Sequence, residues 1–225
     1  MKRRWAVSAV AAASVLCVIL PAGASERPAG SPATTPALAT VATRAGLRPN
    51  VLRLALEARA RAEARGLATR PVLTVIDYSL PSRKRRLWVL DLEHARVLAH
   101  ELVAHGRETG GDVARRFSNR PGSFQSSLGT FVTGETYTGA HGLSLRLRGL
   151  DQGLNDQAEA RGIVLHGADY VNAGIVDKLG RLGRSQGCPA LSPAAAPRVI
   201  ELIRDRTVVF AYHPSPALRR TLASR

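Results

Sequence analysis

Cys188 and His166 are the residues of this chain whose types and placement best suit nucleophilic chemistry. A thiol becomes a useful nucleophile only as a thiolate, and it reaches that state beside a base or a cation. His166 directly follows a buried-type strand, and Cys188 lies in a glycine-rich loop that can fold back onto the strand end. The Gly187 and Cys188 amides can face a developing oxyanion. The pattern favours acyl transfer through a cysteine.

The N-terminal segment changes the meaning of the cysteine count. Residues 1–24 combine a positive start, an apolar run of about sixteen residues and a small-residue end, as in a secretory signal peptide. The run is shorter than the about twenty residues of a membrane span. Cleavage removes Cys17 and leaves Cys188 as the one cysteine of the mature chain, so no intramolecular disulfide is expected. The alternative for Cys188 is a small buried hydrophobic residue.

Two arginines near the thiol and the six histidines are the other residues that could take part in chemistry. Arg181 and Arg184 flank the thiol and are predicted to lower its pKa or to hold a substrate carboxylate. The six histidines show no HxxxH or HExxH spacing, and there is no Walker loop, dinucleotide fingerprint or CxxC pair. We therefore expect no metal and no organic cofactor, and a structural or surface role for His94, His100 and His105.

The elements that must position these residues divide the chain into five segments. After the signal peptide, residues 25–45 are rich in Pro, Ala and Thr and predict a flexible tether. Residues 46–70 predict an N-terminal helix that begins near Pro49, residues 71–213 a catalytic domain, and residues 214–225 a basic tail.

The fold class predicted for residues 71–213 is mainly β, a sandwich or mixed sheet with one or two short helices beside the N-terminal helix. Short apolar or alternating runs predict six strands, and one apolar stripe predicts a helix over 194–204. The strands are expected near 72–76, 87–92, 97–103, 143–148, 163–165 and 207–212.

A formal charge of +15 suggests an anionic partner. Of 32 basic residues 29 are arginine, which is typical of a GC-rich genome, and removing Lys2, Arg3 and Arg4 leaves 15 − 3 = +12. Aromatic residues make up only 4%, so base-stacking platforms are scarce and no nucleic-acid partner is expected. The run Arg83–Arg86 is interpreted as a solvated hairpin loop, or alternatively as a patch for an anionic polymer or a membrane surface.

The residues around the thiol resemble a known motif. Ser185-Gln186-Gly187-Cys188, preceded by His166-Gly167, resembles the nucleophile motif of the murein L,D-transpeptidases with a YkuD-type catalytic domain. The likeness runs from about Val72 to Tyr212. It includes the segments Phe117–Asn119, Ser126–Phe131, Gly134–Tyr137, His141-Gly142, His166–Tyr170 and Gly183–Ser185.

The resemblance implies a role for each matched residue. Cys188 falls at the nucleophile and His166 at the general base. Ser185 falls at the supporting hydroxyl and Gly187 at the oxyanion-loop glycine. Because a backbone carbonyl orients the base histidine in such enzymes, Asp169 is given no triad role.

Two positions depart from the family pattern. Many members have histidine, and the nearer subfamily tryptophan, where Gln186 stands, and Ala190 replaces a common arginine or asparagine. Gln186 cannot titrate, which places any proton-handling role there in doubt. Arg184 is the expected replacement for the missing carboxylate clamp. The expected substrate-binding residues are Arg184, Gln186, Tyr137 and His141. For Tyr137 and His141 the alternative is packing at a strand end.

The resemblance implies an exported cysteine acyltransferase, in the periplasm or cell envelope, whose partners are the stem peptides of peptidoglycan. Cys188 would attack the third residue of a tetrapeptide stem, release the terminal D-Ala and pass the acyl group to a second stem as a 3→3 cross-link. Two alternatives stay open: an L,D-carboxypeptidase that transfers the acyl group to water, and a catalytically silent peptidoglycan-binding module.

Overall fold

An eight-stranded mixed sheet organises the part of the chain that the structure describes. The structure is a computed structural model and describes Met1 and residues 36–223. The strands are β1 Val72–Asp77, β2 Leu87–Asp91, β3 Arg96–Glu101, β4 Gly129–Gly139, β5 Gly142–Gly149, β6 Val164–Gly167, β7 Ala190–Leu191 and β8 Val208–Tyr212. The helices are α1 Pro36–Arg44, α2 Pro49–Ala64, α3 Ala173–Leu179, α4 Ala195–Ile203 and α5 Pro216–Ala223.

The strand order is β3-β2-β1-β8-β4-β5-β6-β7, so the last strand of the chain lies inside the sheet. β8 pairs in parallel with β1 and antiparallel with β4, which joins the two halves of the sheet. β6 and β7 form the other parallel pair. Every residue of β1, β2 and β8 is buried. These strands are therefore mainly apolar, because a strand covered on both faces has no side that contacts solvent.

Two helices pack on the sheet and supply much of the core. α2 contacts β1, β4 and β8, while α4 contacts strands of both halves, including β1, β5 and β6. The buried residues of α4 recur every three or four positions, which gives the helix one apolar stripe. They are Ala195, Ala196, Val199, Ile200 and Ile203.

The predicted fold class, mainly β with a mixed sheet, is confirmed. The six predicted strands form within a few residues of their expected bounds, and the helices predicted over 194–204 and from Pro49 form as α4 and α2. The prediction of one or two short helices beside the N-terminal one is too low, because α1, α3 and α5 form in addition.

The flexible tether predicted over residues 25–45 is wrong for residues 36–44, which form α1. Leu38 and Ala42 lie one helical turn apart and are buried, and α1 packs against α2 and β3. Alanine has the highest helix propensity, and Pro36 suits a first turn. The composition that suggested a tether therefore also permits a helix once Leu38 has a place to pack.

The two ends of the chain complete the comparison with the predicted segments. Residues 216–223 of the predicted basic tail form α5, which buries Leu218. The predicted signal peptide and residues 25–35 lie outside the described residues, apart from Met1. Within residues 36–223, no helix has both the length and the apolar character that crossing a bilayer requires.

The interpretation of Arg83–Arg86 as a solvated loop is wrong for its last residue. Arg86 is 0% exposed. Its guanidinium donates to the Val103 carbonyl at 2.8 and 3.1 Å, to the Leu80 carbonyl at 2.8 Å and to His105 Nδ1 at 2.8 Å. Burial lowers the pKa of Arg86 to about 10. A run of charged residues predicts exposure, but here the acceptors that stabilise the buried charge of Arg86 lie outside the run and were not visible in the local sequence.

Candidate active site

One cavity of about 530 Å³ brings most of the predicted site residues together. It lies where the β4–β5 hairpin, β6 and the loop before β7 meet. Seven of the eight predicted residues line it, whereas Gly187 lies behind it, against a small apolar pocket. The seven are Cys188, His166, Ser185, Arg184, Gln186, Tyr137 and His141.

The pairing of three strands, β5, β6 and β7, explains why these residues meet. Side chains alternate along a strand, so Val164 and His166 of β6 line the cavity while Leu165 packs in the core. His166 pairs with Ser144 of β5 on one side and with Ala190 of β7 on the other. The register therefore places the strand that follows Cys188 directly beside His166, although the two residues are far apart in sequence.

His166 is buried, and its ring is held by the backbone. Nδ1 lies 2.8 Å from the Gly167 carbonyl, so Nδ1 carries the proton and donates it to that oxygen. Burial lowers the pKa of His166, and the His141 ring, stacked at 4.5 Å, lowers it further against the opposing effect of the Gly167 hydrogen bond. The imidazole is therefore neutral at pH 7, and within the described chain its Nε2 has no hydrogen-bond partner.

The Cys188 thiol is half-buried in a resting arrangement. Sγ donates to the Gly162 carbonyl at 3.7 Å and accepts from the Val164 amide at 3.5 Å. Burial raises the pKa of Cys188, while the Val164 amide, the charge of Arg161 and the residue's own amide oppose that rise. No hydrogen bond joins Cys188 to His166 within residues 36–223. Cys188 therefore shares a cavity with His166, but its thiol is hydrogen-bonded to the backbone and not to the imidazole.

Ser185 shapes the turn that carries the thiol. Its Oγ donates to the Cys188 carbonyl at 2.6 Å and accepts from the Gly187 amide at 3.1 Å. Gly187 has a φ of +131°, and a Cβ there would meet the Gln125 carbonyl at 3.0 Å. The predicted pair of oxyanion donors is therefore wrong for the Gly187 amide, which is bound inside the loop. Of the two predicted oxyanion donors, the Cys188 amide remains. This amide lies close enough to the Cys188 sulfur to lower the pKa of the thiol.

Ser126 supports the same loop from behind, a role that the sequence did not reveal. Its Oγ donates to the Gly187 carbonyl at 2.9 Å and accepts from the Gly106 amide at 3.0 Å. A Cβ on Gly106 would lie 2.9 Å from the Gly187 Cα, so two backbones approach closely here. Ser126 lies in one of the segments that carry the family resemblance, which was the only signal for it.

Arg161 is the cation that acts on the thiol, and the sequence analysis missed it. Its guanidinium lies 3.5 Å from the position of a Cβ on Gly187, and its charge lowers the pKa of Cys188. Four acceptors hold it, at distances of 2.5 to 3.2 Å: the Ser118 and Gln125 carbonyls and the Ser127 and Ser123 hydroxyls. Its sequence signal is weak, an arginine just before the strand that carries His166.

The two arginines that were predicted to act on the thiol lie elsewhere. Arg181 does not line the cavity and donates to the Leu182 carbonyl. Arg184 lines it, but its Nη1 donates to the carbonyls of Arg107 and Gly110. Neither contributes to the pKa of Cys188. The expectation that they lower this pKa is therefore wrong, and a carboxylate-binding role for Arg184 stays a prediction.

The remaining predicted residues lie at the rim. Gln186 is exposed, and Tyr137 is 37% exposed with the Arg146 guanidinium 4.8 Å from its ring centre. Ala190, where the family often has a cation, is fully buried in β7 opposite His166. Burial at that position disfavours a charged side chain without a partner. Within residues 36–223, no group of three or more His, Cys, Asp or Glu residues is placed to hold a metal ion.

A mixed sheet that presents a thiol and a neutral imidazole in one cavity is the kind of domain on which cysteine-based acyl transfer is built. The sequence profile of the L,D-transpeptidase catalytic domain matches residues 43–212, which is most of the chain. The chain therefore belongs to the L,D-transpeptidase catalytic domain family.

Solved structures show similarity at low identity. An L,D-transpeptidase from Mycobacterium smegmatis is 16% identical, with a TM-score of 0.40, and the match covers 64% of this chain and 59% of that one. L,D-transpeptidase 1 of Mycobacterium tuberculosis is 13% identical, with a TM-score of 0.35 and coverage of 62% and 60%. An L,D-transpeptidase from Stackebrandtia nassauensis is 14% identical, with a TM-score of 0.38 and coverage of 80% and 77%. No curated protein matches the chain.

Proposed function

We propose that the protein is an exported cysteine acyltransferase that forms 3→3 cross-links between peptidoglycan stem peptides through an acyl-enzyme on Cys188. Membership of the family supports the substrate class. One observation carries the chemistry: Cys188 and His166 line one cavity, and the imidazole keeps Nε2 available while Nδ1 is bound to a carbonyl. That arrangement is a nucleophile beside an oriented base.

The first half-reaction needs the thiol to leave its resting partner. Rotation of the Cys188 side chain takes the S–H from the Gly162 carbonyl toward His166 Nε2, which accepts the proton. Arg161 stabilises the thiolate at that moment, because its charge already favours the ionised sulfur. Sγ then attacks the carbonyl of the third residue of a tetrapeptide stem, and the Cys188 amide donates to the oxyanion.

Collapse of the tetrahedral adduct completes the acylation. The bond to the terminal D-Ala breaks, the imidazolium of His166 returns the proton to the leaving amine, and a thioester remains on Cys188. The amine of a second stem then attacks this thioester. His166 accepts the amine proton and passes it to the departing sulfur, which restores the thiol and leaves an amide cross-link. No step requires a cofactor.

The test is the release of D-Ala from purified tetrapeptide muropeptides. We expect the wild-type protein to release D-Ala and the Cys188→Ala variant to release none. Asp169→Asn is the matched control, since Asp169 is an exposed carboxylate near the site without a role in the mechanism. Release by Cys188→Ala, or its loss in Asp169→Asn alone, would contradict the mechanism.

The same assay separates the two alternatives. A carboxypeptidase releases D-Ala at the same rate with and without an added acceptor stem and forms no cross-linked product. A silent binding module binds the stems but releases nothing. Two observations favour the silent binding module: Sγ is hydrogen-bonded to the Gly162 carbonyl and not to His166, and burial raises the pKa of Cys188.

A further inference from the structure

A second cavity, of about 550 Å³, adjoins the catalytic one and is lined mainly by arginines. The two cavities share Arg107 and Arg184 and therefore adjoin at these two side chains. Arg115 and Arg116 also line the second cavity. We call these four arginines and the space between them the arginine pocket. Glu108 is the one acidic residue among those that line it.

Within residues 36–223, none of the arginines of the arginine pocket forms an ion pair, and Glu108 offsets only one of their four charges. Among the described residues, the guanidinium groups of Arg107, Arg115 and Arg116 make no hydrogen bond and no ion pair. Arg107 lies over the Phe124 ring, 3.9 Å from its centre, which holds the group without changing its charge. Several positive charges in one concave site raise the local concentration of anions.

The backbone fixes two of these arginines in place. The amides of Arg115 and Arg116 both donate to the carbonyl of buried Thr109, at 2.8 and 3.0 Å, and Gly110 pairs with Ala114. Gly110 has a φ of +153°, and a Cβ there would lie 2.3 Å from the Val113 carbonyl, so only glycine closes this turn. The turn therefore fixes the backbone of both residues, whose side chains line the cavity.

We infer that the arginine pocket is a carboxylate-binding subsite of the catalytic cleft. It holds free carboxylates of a stem peptide while the reacting carbonyl lies at Cys188, and this inference rests on the proposed function. A guanidinium matches a carboxylate with two parallel hydrogen bonds, and such charge-assisted bonds are about twice as strong as neutral ones. Stem peptides carry several free carboxylates, which suits a site with three arginines that lack an acidic partner.

The experiment measures binding without turnover, in protein that carries Cys188→Ala. The probes are a tetrapeptide stem with free carboxylates and the same peptide with every carboxylate amidated, titrated by calorimetry. We expect Arg115→Gln with Arg116→Gln to raise the Kd of the free-acid peptide by roughly tenfold. The Kd of the amidated peptide stays weak and unchanged.

A charge-matched control isolates the site from the net charge. Arg148→Gln with Arg220→Gln also removes two positive charges from exposed arginines, and neither residue lines the arginine pocket. This control should leave the Kd of both peptides unchanged. Equal melting temperatures of the two double variants establish that the fold is intact. Equal loss of affinity in both double variants would show a general charge effect and overturn the subsite.

The outcomes also separate this inference from the proposed function. Unchanged binding of the free-acid peptide in the Arg115/Arg116 variant overturns the subsite even if the wild-type protein releases D-Ala. Equally tight binding of the amidated peptide overturns it as well. If the wild-type protein releases no D-Ala while binding still depends on the carboxylates and on Arg115 and Arg116, the proposed function fails and the subsite stands.

Discussion

His105 and His166 are two buried histidines, each bonded to a backbone carbonyl, yet they lie in regions of opposite character. In the closed region, the Arg86 guanidinium donates to His105 Nδ1 at 2.8 Å, and His105 Nε2 lies 3.3 Å from the Gly110 carbonyl. In the open region, His166 uses only Nδ1, toward Gly167, and faces a cavity of about 530 Å³. Burial lowers the pKa of both rings, that of His105 to about 4.

The difference shows that burial and a lowered pKa alone do not identify a base. Both imidazoles are neutral at pH 7, but the lone pair of His105 is already occupied and that of His166 is not. The two arginines near them differ in the same way. Arg86 bonds only to groups of the core, whereas Arg161 acts on the sulfur of Cys188. The accessible partner, and not the shifted pKa, distinguishes the member of each pair that we propose to act in catalysis.

The largest expected effect is the loss of activity on removing the available base. His166→Gln should lower the rate of D-Ala release by about 10²- to 10⁴-fold, the usual contribution of a general base, with little change in melting temperature. His105→Gln is the comparison variant, and the activity per folded molecule should survive it. If the two variants lose activity equally, the distinction between the regions fails.

The second prediction concerns His105, whose buried neutral ring should make the stability of the fold decrease in acid. Because burial, then the charge of Arg86, holds the pKa of His105 near 4, the folded protein keeps this ring neutral and the unfolded chain protonates it near 6.5. The free energy of unfolding should therefore be unaffected by this ring above pH 6.5. It should fall by about 3 kcal/mol as the pH decreases from 6.5 toward 4, because only the unfolded chain binds the proton in that range. Urea unfolding of the wild type and of His105→Gln should diverge in pH dependence over this range; parallel curves would contradict the buried neutral state.

Ser126→Ala tests the support behind the thiol loop. It removes the donor to the Gly187 carbonyl and the acceptor of the Gly106 amide, and leaving such buried groups unpaired costs about 1–3 kcal/mol. We expect a lower kcat with an unchanged KM, and partial recovery in Ser126→Thr, which keeps the hydroxyl. A change confined to KM would place Ser126 in substrate binding instead.

The smallest expected effect is on the reactivity of the thiol itself. Arg161→Gln removes a charge that lowers the pKa of Cys188, so that pKa should rise and the thiolate fraction at neutral pH should fall. Alkylation by iodoacetamide, a neutral reagent, should slow several-fold at pH 7, and its pH profile should move to higher pH. Arg184→Gln should leave the profile in place. A shift to lower pH in Arg161→Gln would reverse the assigned electrostatics.

The features that could be predicted from the sequence are those determined by residues close together in the chain. Apolar runs located the core strands β1, β2 and β8, in which every residue is buried. Two short motifs, one at His166 and one over Ser185–Cys188, located three residues that line one cavity: His166, Ser185 and Cys188. These features follow from neighbours in sequence, so periodicity and motif were sufficient.

Features that depend on distant contacts could not be predicted. Ser126 reaches Gly187 across 61 residues, and Arg161 is held by a loop 34 to 43 residues away. Arg86 looks like part of a surface charge run until the core carbonyls around it are placed. The contacts of Ser126, Arg161 and Arg86 leave no periodic trace in the sequence. The helix over 36–44 differs, because its Leu38 and Ala42 have helical spacing that the Pro, Ala and Thr composition obscured.

Mass spectrometry after exposure to a carbapenem tests most directly whether Cys188 works as a nucleophile beside His166. A covalent adduct requires attack by a thiolate on the lactam carbonyl and stabilisation of the oxyanion. We predict one adduct per wild-type chain, mapped by peptide digestion to Cys188, and slower formation in His166→Gln. Absence of an adduct on the folded wild-type protein, or an adduct at any other residue, would contradict the assignment of the site.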